Sequence, residues 1–191
     1  WSVTGVQTFA LPISYGLDSP PNAWVKDVDN DLTIEPADGD RVYVYIGMGR
    51  GGRNYYAIDA TDRDSPKILW TIRGGNGDFS ELGQTWGRPI KTRINIDGTV
   101  TDVLILSGGY DTNQDDVTVR TADSMGRAIF IVDAVTGQKI WSAGPSGSHN
   151  LQLAEMLYSI PSTIRAVDIN NDRLVDQLYV GDTGGQLWGF D

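Results

Sequence analysis

Residues 128–141 read AIFIVDAVTGQKIW and contain the pattern that decides the fold. An apolar β-branched and aromatic run ends at Asp133, a Thr-Gly turn follows, and a second run ends at Trp141. Two apolar runs separated by turn residues are typical of a β-hairpin. The same pattern occurs in NYYAIDAT at 54–61 with ILW at 68–70, and it begins again in QLWGFD at 186–191. The chain therefore contains repeated hairpins.

A further strand precedes each hairpin. The runs VYVYIG at 42–47, VLILSG at 103–108 and QLYVG at 177–181 all follow closely after an aspartate, namely Asp40, Asp102 or Asp176. Matching features recur at a spacing of about 72 residues, which exceeds the ~40–45 residues of a WD-type blade. We therefore expect long insertions, with 111–125 and 143–157 as the clearest ones. Repeated sets of short strands predict an all-β fold, a partial β-propeller of about three blades with quinoprotein-like repeats and long loop insertions.

Composition narrows the function. The 191 residues include 25 acidic and 15 basic side chains, which gives a formal net charge of −10. Nucleic-acid binding is disfavoured because it normally requires a basic face. The chain has no cysteine, so disulfides and thiolate metal sites are excluded. No apolar run approaches the ~20 residues of a transmembrane helix, so we predict no transmembrane segment.

Residues 3–13 read VTGVQTFALPI and match the translation of a short-read sequencing adaptor at every position except Phe9. We interpret residues 1–14 as a foreign segment, and fold reasoning excludes such segments. Residues 15–191 are predicted to be the native part, a partial propeller domain with a calcium loop.

The strongest chemical signal is DINNDRLVD at 168–176. Oxygen-bearing side chains occupy loop positions 1, 3, 5 and 9, and the backbone carbonyl at position 7 completes the set. Calcium takes six to eight oxygen ligands, and the EF-hand loop supplies them from the same alternate positions. The predicted calcium ligands are Asp168, Asn170, Asp172, the Leu174 carbonyl and Asp176. Arg173 replaces the glycine of an EF-hand loop, so we expect weakened affinity.

The preceding repeat supplies an internal control. Its matching stretch, INIDGTVTD at 94–102, keeps the final aspartate but has Ile94, Ile96 and Gly98 at the other ligand positions. The repeat therefore folds without those ligands, which favours a metal role over a solvated turn for the 168–176 loop.

A second metal site is predicted at DVDNDLTIE, residues 27–35. Its oxygens come from Asp27, Asp29, Asp31 and Glu35, with Asp38 at position 12. Leu32 stands at the turn position. A solvated acidic loop remains the alternative interpretation of this segment.

No catalytic or cofactor-binding residues are predicted. His149 is the single histidine and lies in the Gly/Ser-rich run 144–150, where we expect a loop residue. The glycines of 47–52 lack the Lys-Ser/Thr of a phosphate loop and are interpreted as a hairpin turn. Trp70, Trp141 and Trp188 are expected to fill space between blades.

Two longer strings carry a family resemblance. They are GDRV at 39–42 with GMGRGGRNYYAID at 47–59, and AVD at 166–168 continuing through DQLYVGD at 176–182 to GQLWGFD at 185–191. They resemble the C-terminal propeller of the PilC/PilY proteins, the tip-associated adhesins and biogenesis factors of type IV pili. The resemblance extends over about residues 27–191.

The resemblance implies a secreted, non-enzymatic protein of a Gram-negative bacterium, located at the cell surface on the pilus or outer membrane. It implies Ca²⁺ in the 168–176 loop, with occupancy regulating pilus extension against retraction, and roles in attachment and virulence. The implied partners are minor pilins and host-surface receptors.

An enzymatic alternative is a propeller fragment of a PQQ-type quinoprotein dehydrogenase. Asp133, Thr136, Gly137 and Trp141 match that family's blade motif, but Ile131 does not. The other repeats match it poorly, and the adjacent cysteine pair common in those enzymes is absent. A non-enzymatic periplasmic scaffold is a third interpretation, but it gives no reason for the metal loop.

Overall fold

The computed structural model describes residues 15–191, so the interpretation of residues 1–14 as foreign lies outside the described part. Within it the chain forms three sheets, antiparallel apart from one short parallel pair, and a few short 3-10 turns, which confirms the all-β prediction. The first sheet has the order β1-β2-β3-β4, the second β5-β6-β7-β8-β9 and the third β10-β11-β12.

The strand bounds follow the repeats found in the sequence. The strands are β1 Asn22–Lys26, β2 Arg41–Gly47, β3 Asn54–Asp59, β4 Lys67–Arg73, β5 Ile90–Ile96, β6 Thr99–Ser107, β7 Ile129–Asp133, β8 Lys139–Gly144, β9 Leu151–Gln152, β10 Arg165–Val167, β11 Gln177–Gly181 and β12 Leu187–Phe190. The 3-10 turns are Pro36–Asp38, Gly49–Gly51, Gly77–Phe79 and Thr112–Gln114.

Strand register shows that the sheets are structural repeats. Tyr45 pairs with Ala57, Ile105 with Ile131 and Tyr179 with Gly189, each at the centre of its second and third strands. The third and fourth strands of the first two sheets each shift register once, between Ala57 and Ile58 and between Ile131 and Val132. The same irregularity at the same place indicates that the repeats share backbone detail as well as pattern.

Two apolar layers hold the three sheets together. Tyr45 and Tyr55 of the first sheet pack with Leu104 and Phe130 of the second. On the other side of the second sheet, residues such as Ile105 and Ile129 pack with Leu178 and Val180 of the third. Successive strand residues point to opposite faces, so a continuous apolar run fills both layers at once.

The tryptophans contribute to these layers in two ways. Trp70 packs against Gly137, where a Cβ atom would lie only 2.8 Å from the indole ring, and its Nε1–H donates to the Ala134 carbonyl (3.2 Å). Trp141 meets Phe190 of the third sheet edge-on. Trp188 lies instead on the third strand of its sheet, opposite Val180, and its indole N–H donates to Asp182. It is therefore not the structural equivalent of the other two.

The insertions contain little regular structure. Residues 111–125 include the short turn Thr112–Gln114, and residues 143–157 include β9, which pairs parallel to β8. No helix within residues 15–191 has the length and apolar character needed to cross a membrane.

Candidate functional site

Both acidic loops connect the first strand of a sheet to its second strand. Residues 27–40 join β1 to β2, and residues 168–176 join β10 to β11. The two loops therefore lie at the same end of their sheets, because the strands on either side of them run in equivalent directions.

The 168–176 loop is closed by its own side chains. The Asp168 carboxylate accepts the backbone N–H of Asn171 (2.7 Å) and that of Arg173 (2.8 Å). Asp172 accepts the N–H of Leu174 (2.8 Å), and Asp176 accepts that of Ile169 (2.8 Å). Each carboxylate keeps free lone pairs after these bonds, because an ionised carboxylate has about four acceptor sites.

The 27–40 loop repeats this arrangement. The Asp27 carboxylate accepts the N–H of Asn30 (2.7 Å) and that of Leu32 (2.9 Å). Like Asp168, it thus binds the N–H groups of the residues three and five positions after it. Asp31 accepts the N–H of Thr33 (2.7 Å). Two segments with different apolar and basic residues thus adopt the same turn around the same pattern of oxygens.

Positive φ angles occur at matching positions in both loops. They are 61° at Asn30 and 70° at Leu32, against 65° at Asn171 and 70° at Arg173. Asparagine tolerates the left-handed region, whereas Leu and Arg are strained there by roughly 1–2 kcal/mol. Arg173 thus adopts a left-handed conformation at the position that glycine occupies in an EF-hand loop.

The role of Asp176 is taken in the first loop by Asp40. Asp40 accepts the N–H of Val28 (2.8 Å), as Asp176 accepts that of Ile169, and it also accepts the N–H of Glu35 (3.0 Å). Asp40 is only 1% exposed, whereas Glu35 is exposed. Spacing alone pointed to Glu35, because the first loop is longer than the second.

The structure brings Asp27, Asp29 and Asp40 together, with one carboxylate oxygen of each within 4.8 Å of the others. Oxygens bound to one Ca²⁺ at about 2.3–2.6 Å lie at such separations. Asp168, Asp172 and Asp176 do not form an equally tight group in the part of the chain that the structure describes. The carboxylates of the first loop are therefore closer to the arrangement that a cation would require than those of the 168–176 loop.

Local electrostatics differ between Asp40 and Glu35 in the first loop. Backbone N–H groups of Glu35 and Val28 lower the pKa of the Asp40 carboxyl. Repulsion from Asp31 first, and then from Asp38, raises the pKa of Glu35. These hydrogen bonds thus favour the ionised form of Asp40, whereas the surrounding carboxylates disfavour the ionised form of Glu35.

The second sheet has a tight turn at the equivalent connection. Ile96 pairs with Thr99, so Asp97 and Gly98 alone join β5 to β6, both with positive φ (50° and 85°). Such a two-residue Asp-Gly connection is a type I′ hairpin turn. The prediction that this repeat folds without the ligands of the 168–176 loop is confirmed, because the second sheet forms with a tight turn at this connection.

The donor set of both loops suits a hard cation. It consists of carboxylate, amide and carbonyl oxygens, the ligands that Ca²⁺ prefers, and it contains no imidazole or thiolate. His149 lies in neither loop. It is 8% exposed, its Nδ1 lies 3.0 Å from Ser142 Oγ, and burial lowers its pKa. It lies in the connection between β8 and β9, so it is a loop residue as expected, but its side chain is buried.

Comparisons with known proteins identify relatives. No protein-family model matches the chain. The type IV pilus biogenesis factor PilY1 of Pseudomonas aeruginosa (strain UCBPP-PA14) is 28% identical over 98% of this chain and 16% of its own length. A PilY1 homolog of Xylella fastidiosa (strain Temecula1) is 30% identical over 86% of this chain and 11% of its own length. The chain thus spans only a small part of these relatives.

A solved structure agrees with this result. The crystal structure of the Pseudomonas aeruginosa PilY1 C-terminal domain superposes with a TM-score of 0.58 and 25% sequence identity, covering 80% of this chain and 27% of that one. Sequence and structure thus point to the same relative. The chain belongs to the PilY1 family and corresponds to a part of its C-terminal domain.

Proposed function

We propose that this chain is part of the calcium-binding propeller of a type IV pilus biogenesis protein. The relatives are named as type IV pilus biogenesis factors, which supports the pilus role. The calcium proposal rests on one observation. The same oxygen-rich turn occurs in the first and third sheets, whereas the second sheet has a two-residue Asp-Gly turn at the equivalent connection.

The 168–176 loop binds Ca²⁺ through Asp168, Asn170, Asp172, the Leu174 carbonyl and Asp176. Its free oxygens repel each other unless a cation lies between them. Calcium is favoured over magnesium because the loop offers several ligands on a flexible frame, whereas Mg²⁺ demands a small octahedral shell and retains its waters. The strained Arg173 places the dissociation constant at roughly 10⁻⁶–10⁻⁴ M, the weaker part of the EF-hand range.

The 27–40 loop is a second site with Asp27, Asp29 and Asp40 as its core. Asp31 belongs to the same turn, and Glu35 supplies a further carboxylate at its rim. Asp40 replaces Glu35 as the closing ligand in this proposal, because its carboxylate lies within reach of the other two and is held in place by two backbone N–H groups.

Calcium at 168–176 acts as a switch between two sheets. Val175 N–H donates to the carbonyl of Arg93 in the second sheet (2.9 Å), so the loop also contacts its neighbour. Binding that orders the loop therefore stabilises the junction between the second and third sheets and leaves the apolar layers unchanged. We propose that this change regulates pilus extension against retraction, and with it surface attachment.

The wider setting is inferred from the same relatives. The protein acts without enzymatic activity at the cell surface, associated with the pilus or the outer membrane. Its proposed partners are minor pilins and host-surface receptors, and its role in attachment connects it to virulence. The three sheets are consecutive blades of a propeller completed by the rest of the polypeptide.

A retraction assay tests this function. The full-length gene carrying Asp172→Ala replaces the native gene in a piliated bacterium, and pilus retraction is followed with and without calcium. We expect retraction to lose its calcium dependence. Asp64→Ala is the control because it removes another exposed aspartate, outside both loops. Unchanged calcium dependence in the Asp172→Ala strain would refute the switch.

A further inference from the structure

A pocket of about 460 Å³ lies at the end of the sheets opposite the acidic loops. β2 begins at the acidic loop and ends near Arg50, and β5 begins after Trp86 and ends at the Asp-Gly turn. The pocket is thus built from connections at the far ends of these strands. Its lining includes Arg50, Gln84, Trp86, Tyr110, Thr112 and Asp115.

The pocket walls are fixed by backbone hydrogen bonds. Gln84 and Tyr110 exchange two of them, each of 2.8 Å, and Gly109 donates to the Ile160 carbonyl (2.9 Å). These bonds join connections that are distant in sequence, so the residues around them are held in a defined arrangement.

A buried carboxylate anchors the loop that carries two of the pocket's polar residues, Thr112 and Asp115. Asp111 is 2% exposed and accepts the N–H groups of Asn113, Ser124 and Met125 as well as the Ser124 hydroxyl. The Asp115 side chain accepts the hydroxyl of Tyr110. A long surface loop that is tied down in this way is preformed for binding.

The lining combines aromatic rings with hydrogen-bonding groups of both kinds. Trp86 is 38% exposed, meets Tyr110 edge-on and lies beneath the Arg50 guanidinium. Its indole N–H donates to Gln84 Oε1 (3.0 Å), so the Gln84 amide nitrogen keeps its donors free. Arg50 and Gln84 thus offer donors, and Asp115 and Thr112 offer acceptors. Few precisely placed polar groups around aromatic surface are typical of small-molecule sites.

We propose that this pocket binds a saccharide of one or two rings. A sugar ring has an apolar C–H surface that packs against an aromatic side chain and peripheral hydroxyls that both donate and accept. A proline-rich peptide also uses aromatic grooves, but the charged and amide groups here exceed what such a peptide needs. A simple anion fits less well, because Asp115 lies in the same pocket as Arg50.

The test uses the 191-residue chain and a panel of methyl glycosides of glucose, galactose, mannose, fucose, N-acetylglucosamine and N-acetylneuraminic acid. Saturation-transfer NMR identifies the bound sugar, and calorimetric titration measures its affinity. We expect Trp86→Ala and Gln84→Leu each to weaken binding at least about tenfold, the loss expected when roughly 1.4 kcal/mol of contact is removed. Tyr179→Ala is the matched control, because Tyr179 is 39% exposed but lies on the third sheet away from the pocket.

The outcomes separate the alternatives. Binding of one sugar that both variants weaken and the control preserves supports the assignment. Absence of any sugar signal, or equal signals from the wild type and both pocket variants, overturns it. Binding of a decaproline peptide in a Trp86-dependent manner with no sugar signal also overturns it, in favour of a peptide groove. If Trp86→Ala fails to fold, Gln84→Leu alone decides. Residue 84 bonds to Tyr110 through its backbone, and these bonds do not depend on its side chain.

Discussion

The second and third sheets connect equivalent strands in two different ways. Asp97 and Gly98 close the second sheet with a tight turn, whereas residues 168–176 close the third with a loop stabilised by its own aspartates. The apolar layers on both sides of the second sheet are complete despite its short turn. The acidic loop is therefore an addition to a fold that does not require it, and its chemistry calls for a separate explanation.

Exchanging the two connections should have the largest effect. Replacing residues 168–176 by residues 93–102 gives the third sheet the turn of the second. We expect the third sheet to lose its calcium site and the chain to keep its β-sheet circular dichroism spectrum. The second sheet already folds with the grafted hairpin. A loss of secondary structure would show that the acidic loop is needed for folding.

A conservative change at one ligand should have a smaller but still large effect. Asp172→Asn keeps an oxygen that can accept the Leu174 N–H but removes one negative charge. We expect calcium affinity at 168–176 to fall by about 100-fold, or roughly 2.7 kcal/mol, with thermal stability unchanged in the absence of calcium. Calorimetric titration measures the first and thermal unfolding the second.

The Asp64→Asn variant provides the charge-matched control for this experiment. The Asp64 side chain is exposed and lies 4.0 Å from the Arg63 guanidinium, a long ion pair. Equal losses of affinity in the two variants would mean that net charge, and not coordination, attracts the ion.

Relief of the backbone strain at Arg173 should increase calcium affinity, the opposite of the preceding changes. Arg173 has a φ of 70°, in the left-handed region, whereas the tight turn of the second sheet uses a glycine, Gly98, at its largest positive φ (85°). Arg173→Gly should tighten calcium binding by up to about fivefold, since roughly 1 kcal/mol of left-handed strain is removed. Arg165→Gly in β10 is the control, and we expect it to weaken the sheet without tightening calcium binding. Titration calorimetry on both variants gives the comparison, and weaker binding by Arg173→Gly would contradict the strain argument.

The smallest expected effect is a shift in one titration. Repulsion from Asp31 and Asp38 raises the pKa of Glu35. A cation among these carboxylates favours the ionised form, so the Glu35 pKa should fall when calcium is added. Carbon-detected NMR titration with and without calcium measures the shift. An unchanged Glu35 pKa at saturating calcium would exclude the 27–40 loop as a site.

The sign of the linked stability effect follows from the same pKa values. A raised Glu35 pKa means that the folded state binds the proton more tightly than the unfolded state. Glu35 therefore favours folding at low pH and loses that contribution as pH rises through its folded pKa. Asp40 behaves oppositely, because its pKa is lowered: its contribution is present above the unfolded value and is lost as pH falls. Calcium should remove the Glu35 penalty at neutral pH.

Local pattern was sufficient to predict the strands of the repeated hairpins and the turn of the 168–176 loop. Hairpin periodicity placed β3, β7 and β12, and alternating oxygens located Asp168, Asn170 and Asp172 in one turn. These features depend on neighbours within a few residues, which the sequence shows directly.

Features that depend on distant residues could not be predicted in this way. Asp40 closes the first loop, but it lies beyond the nine residues that the spacing of the 168–176 loop suggested. Its position just before a strand, like that of Asp176, could have identified it. β9 is two residues long and pairs parallel to β8, so no periodicity marks it. Trp86 and Tyr110 meet only because separate connections converge at one end of the sheets.

The central claim is that calcium binds the two acidic loops and does not bind at the Asp-Gly turn. Calorimetric titration of calcium into the 191-residue chain tests it most directly, beside Asp172→Asn, Asp29→Asn and Asp97→Asn. The account predicts two sites in the wild type, loss of a different one in each of the first two variants, and both sites intact in Asp97→Asn. Equal calcium binding in all four proteins would contradict the account.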